Sequence, residues 1–205
     1  MTVLRTRLPF TSAVTVLMLC LGLLTGALWE AANERGWFGQ IAYGLPAIVQ
    51  GSWWSPVTGA FFALEPMIYL PMVGSFALLV GYTEWRLGSR LAALACAVGH
   101  AAGVYGAAFL LWVVGGTEWS WAQGNSGDLD VGLSAGALAC CAVVTAWLRG
   151  PWRLGLRAAL ISYVVISVVL IGALADLEHL IAVGAALPIG GLLYRRQRRS
   201  QVLAP

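Results

Sequence analysis

Long apolar stretches separated by short polar clusters set the pattern of this chain. Six of them, at about 9–29, 59–83, 90–115, 131–148, 156–175 and 177–194, contain few or no charges. A helix needs roughly 20 apolar residues to cross ~30 Å of hydrocarbon, and lipid does not tolerate an open sheet edge. The pattern therefore predicts an all-α polytopic membrane protein with six transmembrane helices, forming a single membrane domain over residues 1–205. The segment 30–58 between the first two stretches is too short and too interrupted to cross. Its Gly36-Trp37-Phe38-Gly39, Tyr43-Gly44-Leu45-Pro46 and Gly51-Ser52-Trp53-Trp54 predict a structured loop lying in the interface rather than a solvated linker.

Charge orients this arrangement. Arg5 and Arg7 precede the first stretch, Arg86 and Arg90 follow the second, and Arg149, Arg153 and Arg157 lie between the fourth and fifth. Arg195, Arg196, Arg198 and Arg199 follow the sixth. With six alternating helices all of these share one side. Arg35 falls on the other, with Glu30, Glu34, Glu118, Asp128, Asp130, Asp176 and Glu178. The positive-inside rule then makes both termini cytoplasmic.

Composition agrees and narrows the classes. The chain is 60% hydrophobic and 10% charged, and all of its basic residues are arginine, which no soluble domain of 205 residues resembles. Its net charge of +3 reflects orientation, since no basic patch interleaved with aromatics points to nucleic acid. The first stretch is longer than a signal-peptide core and reads as a retained helix. Cys20, Cys96, Cys140 and Cys141 show no metal-type spacing and read as small core residues; no metal or cofactor is expected. Arginine in place of lysine, with abundant alanine and glycine, suggests the plasma membrane of a GC-rich bacterium. No internal repeat or paired broken helix suggests a transporter.

Two side chains stand out within this apolar background. Ser134, in Gly132-Leu133-Ser134-Ala135-Gly136, and His179, in Asp176-Leu177-Glu178-His179, each lie about a turn inside the predicted outer start of a segment. At ~1.5 Å per residue, that places both roughly 5–8 Å below the outer face. Gly132, Ala135, Gly136 and Ala139 on one segment, and Ala182, Gly184, Ala185 and Ala186 on the other, allow close approach. A hydroxyl and an imidazole in contact there form a nucleophile and base; separately, they are an ordinary helix serine and an interfacial histidine. Glu65, followed by Pro66 and Pro71, reads as a carboxylate inside the second span with the prolines kinking it. The alternative is a carboxyl that reaches the interface or stays protonated. His100, in Gly99-His100-Ala101-Ala102-Gly103, lies nearer the midplane and reads as a neutral packing histidine.

With these residues in place the chain resembles the rhomboid intramembrane serine proteases over nearly its whole length. Gly132-Leu133-Ser134-Ala135 and His179 stand where that family carries its Gly-x-Ser-Gly nucleophile and its base. Trp54-Ser55-Pro56-Val57-Thr58, Glu84-Trp85-Arg86-Leu87-Gly88-Ser89 and Trp147-Leu148-Arg149-Gly150 are similar to family patterns. The resemblance implies a six-helix rhomboid-like bundle with a membrane-embedded first loop. It also implies that Ser134 is the nucleophile and His179 the general base and acid of an endopeptidase cutting transmembrane helices near the outer face. The departures are specific. Ala135 replaces the second glycine, and Ser55 the arginine of a Trp-Arg pair. Leu138 replaces an aromatic residue, and Ile68 and Met72 replace a histidine and an asparagine that serve the oxyanion. Backbone N–H groups at Gly132 and Leu133, and Glu65 as an orienting carboxylate or protonated donor, are the candidate substitutes. The partners implied are transmembrane protein substrates and the bilayer. The rival expectation is a weak or inactive pseudoprotease that binds membrane helices as clients.

Overall fold

The computed structural model describes residues 8–202, and Arg5 and Arg7 lie outside the described residues. Within that range the chain is helical. The only β-type pairing is an isolated antiparallel bridge between Tyr43 and Asp130. The helices are α1 (Pro9–Thr25), α2 (Phe38–Ile41), α3 (Leu45–Val49), α4 (Ser55–Gly59), α5 (Pro66–Leu87) and α6 (Ser89–Val114). They continue with α7 (Ser120–Ser126), α8 (Ser134–Val144), α9 (Pro151–Leu170) and α10 (Leu174–Val202). Four of them, α5, α6, α9 and α10, are long and apolar enough to cross a membrane; α1 and α8 are apolar but shorter. Proline opens α1, α5 and α9 at the first turn, where its missing N–H has no intrahelical partner to lose.

α8 is the centre of the fold, packed against α5, α6 and α10. Its Ala135, Gly136, Ala137, Ala139, Cys140 and Ala142 are all buried, so the helix is apolar around its circumference and has no solvent face. Small residues permit this. A Cβ on Gly136 would lie 2.7 Å from the Cys96 carbonyl of α6, and one on Gly190 would lie 2.6 Å from the Val143 carbonyl. α9, by contrast, lies at the periphery, packed on α10 and the 3₁₀ turn Thr145–Trp147. Its Trp152, Leu154, Val169 and Leu170 are exposed, an apolar surface suited to lipid.

α1 is fastened to α5 by a buried carboxylate. Glu84 accepts from the Phe10 N–H (3.0 Å), the Thr11 N–H (2.8 Å) and the Thr11 hydroxyl (2.6 Å). It thereby satisfies two otherwise orphan donors at the start of α1 and complements that helix's dipole.

The segment after α1 is structured. The N–H of Ala32 donates to the Leu64 carbonyl at 2.8 Å, and Tyr43 and Asp130 exchange backbone bonds of 2.9 and 2.7 Å. Several expected boundaries shift. Hydropathy runs through Phe61-Phe62-Ala63-Leu64, but α5 begins only at Pro66, so Glu65 is an exposed residue preceding the helix rather than a carboxylate within it. Pro66 opens α5 and does not kink it; Pro71 alone lies inside the helix. α10 extends beyond the predicted end at 194 through its arginines to Val202, since arginine continues a helix well even where it ends an apolar run. Cys96, Cys140 and Cys141 are buried as expected, whereas Cys20 is exposed on α1.

Candidate active site

Ser134 is the first residue of α8, where a full turn of helix before it was expected. Two features stop the helix from starting earlier. The bridge to Tyr43 holds Asp130 extended, and Gly132 has φ +134°, which favours glycine over any residue with a Cβ. Gly132 is held from both sides: its N–H donates to the Gly59 carbonyl at 3.0 Å, and its carbonyl accepts from the Tyr43 hydroxyl at 2.7 Å. The loop before Ser134 is thus tied to the α2–α4 region, and the Ser134 side chain emerges at a fixed point.

His179 lies in α10, which packs against α8 and α6. The start of α10 is fixed by Asp176, which accepts from the Ser167 hydroxyl of α9 and from the Ala173 N–H at 3.0 Å. Ser167 and Asp176 are both buried. On the next turn of α10, the ring of His179 meets Ser134, with Nε2 2.7 Å from Oγ. The imidazole is buried and the serine half-buried. With the ring proton on Nδ1, Ser134 Oγ–H donates to Nε2, which is the arrangement of a nucleophile with its base. Nδ1 itself has no hydrogen-bond partner among the described residues.

The surroundings sort the other candidates. Glu65, exposed before Pro66, forms no hydrogen bond to His179, and among the described residues the imidazole has no orienting carboxylate. Of the acids beside the histidine, Asp176 is engaged by α9, and Glu178 is buried with Oε1 unpartnered. The Gly132 N–H is taken by Gly59. Among the described residues, the N–H groups of Leu133 and Ser134, at the opening of α8, have no carbonyl partner and form the anion-attracting end of a helix. Met72 lies beside Gly132, before this end of the helix: its sulfur is 3.3 Å from where a Cβ on Gly132 would be. A thioether occupies that spot and offers no donor. Ile68, a turn earlier, is 50% exposed and turned outward. Leu138 packs in the apolar cluster between α8 and α10, and Ala135 is buried there.

His100 stands apart from the pair. Its Nε2–H donates to the Pro56 carbonyl at 2.8 Å, and its ring meets Tyr43 edge-on at 5.4 Å. It anchors the first loop on α6, as a packing histidine does. Tyr43 is the residue that the sequence did not mark for a role. It supports Gly132 through its hydroxyl, pairs with Asp130 through its backbone, and packs on His100. Burial, then the negative charges of Asp130 and Glu178, hold its phenol well above the ordinary range. The Asp130 carboxyl, shielded in the same way and facing Asp176 and Asp128, is pushed up to about 6. Among the described residues, no three of His, Cys, Asp and Glu converge as a metal site would require.

No family model matches this chain, and no curated protein matches it in sequence.

Proposed function

We propose that this chain is a rhomboid-like membrane protein with six spans and cytoplasmic termini, and that it is an intramembrane serine endopeptidase of the outer leaflet side. The contact between Ser134 Oγ and His179 Nε2 at 2.7 Å carries the reading. A hydroxyl and an imidazole from distant parts of an apolar chain meet at the starts of two packed helices, behind a glycine held at φ +134°. Both α1 and α8 count among the six spans despite their length, because their apolar surfaces complete the alternation that places the arginines on one side.

In the proposed reaction Ser134 Oγ attacks the carbonyl of a substrate helix unwound near the outer surface. His179 Nε2 takes the hydroxyl proton, the tetrahedral oxyanion forms facing the N–H groups of Leu133 and Ser134, and His179 returns the proton to the leaving amine. Water then repeats the sequence on the acyl-enzyme. No described residue orients Nδ1, and the Met72 side chain cannot donate to the oxyanion, so turnover is slow. One missing oxyanion donor alone lowers turnover by about 10²–10³.

The same two observations favour a second reading, a rhomboid-like pseudoprotease that holds membrane helices without cutting them. Cleavage of model transmembrane substrates with helix-destabilising residues near the outer end separates the two. Endopeptidase function requires cleavage by the wild type that is lost in Ser134→Ala and in His179→Ala. Equal behaviour of all three proteins overturns it.

A further inference from the structure

At the end of the bundle away from Ser134, the helices enclose an open cavity of about 940 Å³, bounded by the end of α5, the Thr145–Trp147 turn, the start of α9 and the end of α10. Chain direction fixes its distance from the serine. α8 and its turn run from Ser134 to Trp147 and α10 runs from His179 to Arg198, about 20 Å and about 29 Å of helix respectively. Arg86, Arg149 and Arg198 line the cavity together with Trp147, Trp152 and Tyr194, and among the described residues no carboxylate lines it.

These three arginines differ from Arg153 and Arg157 beside them, and from Arg90, Arg195 and Arg199, equally unpartnered among the described residues, in lining the cavity. Arg153 donates to the Leu148 and Ala146 carbonyls at 2.9 and 3.2 Å, and Arg157 donates to the Thr145 hydroxyl at 2.9 Å. Both are engaged in closing the end of α8. Arg86, Arg149 and Arg198 make no hydrogen bond and no ion pair among the described residues, where the one salt bridge joins Arg35 to Glu30. Aromatic faces support two of them, with Arg198 over Tyr194 and Arg86 over Trp85, each at 5.6 Å. Guanidinium groups without a protein partner that converge on one cavity offer an anion a site. Their planar forks match phosphate oxygens, and tryptophan and tyrosine mark the headgroup level of a bilayer.

We infer that this cavity binds the phosphodiester headgroup of an anionic phospholipid, with Arg86, Arg149 and Arg198 as its ligands and the exposed apolar surface of α9 receiving the acyl chains. The inference rests on the membrane reading and is independent of the Ser134–His179 chemistry. Basic pockets between spanning helices on the cytoplasmic side are where such lipids are recognised.

The test is native mass spectrometry of the full chain released from micelles and titrated with phosphatidylglycerol, phosphatidylcholine or inorganic phosphate. A change in tryptophan fluorescence that is lost in Trp147→Phe/Trp152→Phe serves as a second readout. Wild type is expected to retain phosphatidylglycerol in preference to phosphatidylcholine, and inorganic phosphate is expected not to displace it. In Arg86→Gln/Arg149→Gln/Arg198→Gln the affinity falls on the order of 100-fold, because each arginine near an anionic headgroup contributes about a factor of five. The control Arg90→Gln/Arg195→Gln/Arg199→Gln removes equal charge outside the cavity and keeps the preference. Equal retention of the two lipids by wild type overturns the proposal, as does equal loss in the two triple variants. Displacement by phosphate alone would make the site one for the free ion and would also overturn it. The lipid comparison on wild type stands even where a variant fails to fold.

Discussion

Gly132→Ala is the substitution in which the fold and the proposed chemistry meet. Gly132 has φ +134°, and holding a residue with a Cβ in so sparsely populated a region costs about 1–3 kcal/mol. The new methyl would lie 3.3 Å from Met72 Sδ and 3.4 Å from the Phe62 carbonyl. The thioether can swing away, but the carbonyl belongs to backbone held by Gly59 and Tyr69, whose neighbouring bonds fix that loop. Relaxation therefore falls on Gly132 itself, stretching its bonds to Gly59 and Tyr43 and moving Ser134 away from His179. Equilibrium unfolding in micelles is expected to show a loss of about 1–3 kcal/mol. Labelling of Ser134 by a fluorophosphonate is expected to fall by at least about tenfold, because a displacement near 1 Å costs on the order of 10² in rate. Gly74→Ala is the control: nothing outside its own helix lies within 4 Å of its Cβ position and its φ is ordinary, so labelling should be unchanged and stability should hold or rise by up to about 1 kcal/mol, as for any mid-helix Gly→Ala. A Gly132→Ala protein as stable as wild type and equally labelled would refute the claim that this strained glycine places the nucleophile.

Other outcomes follow from the same contacts. Glu84→Gln puts an amide where the carboxylate accepts from Phe10 and Thr11, and should destabilise the fold by about 1–3 kcal/mol in the same unfolding measurement. Met72→Asn introduces a donor beside the opening of α8; if a missing oxyanion donor limits turnover, labelling or cleavage rises by about tenfold or more, and an unchanged rate contradicts that account. Asp130 should make stability depend on pH. Its folded pKa of about 6 exceeds the ordinary value of 3.8, so the folded state holds the proton more tightly. Stability should be greatest below pH 4, fall as pH rises toward 6 and level off above; Asp130→Asn should flatten that slope, as the amide oxygen can still accept from the Val131 N–H.

What the sequence made legible and what it hid divide along physical lines. The meeting of Ser134 and His179 could be anticipated because each lies near the start of an apolar segment and small residues flank both. Hydropathy reports burial of side chains and is blind to backbone conformation, so it carried the second span through Phe61 and Phe62 to place Glu65 inside a helix. The proline after Glu65 was the local signal that the helix starts there. Hydropathy also started α8 too early, because Val131, Gly132 and Leu133 are apolar while the backbone there is held extended by Tyr43. Tyr43 had no signal of its own: its role depends on contacts 89 residues away in sequence. The cavity of Arg86, Arg149 and Arg198 was hidden for the same reason, since charge counts gave a side for these arginines but not their convergence.

The proposed dyad requires that His179 make Ser134 nucleophilic. Reaction of the purified chain with a fluorophosphonate, followed by mass spectrometry of the Ser134 peptide, measures this directly. An adduct on Ser134 is expected in the wild type and should disappear in His179→Ala while the variant remains folded. An unmodified Ser134, or an adduct formed equally well without the imidazole, would contradict it.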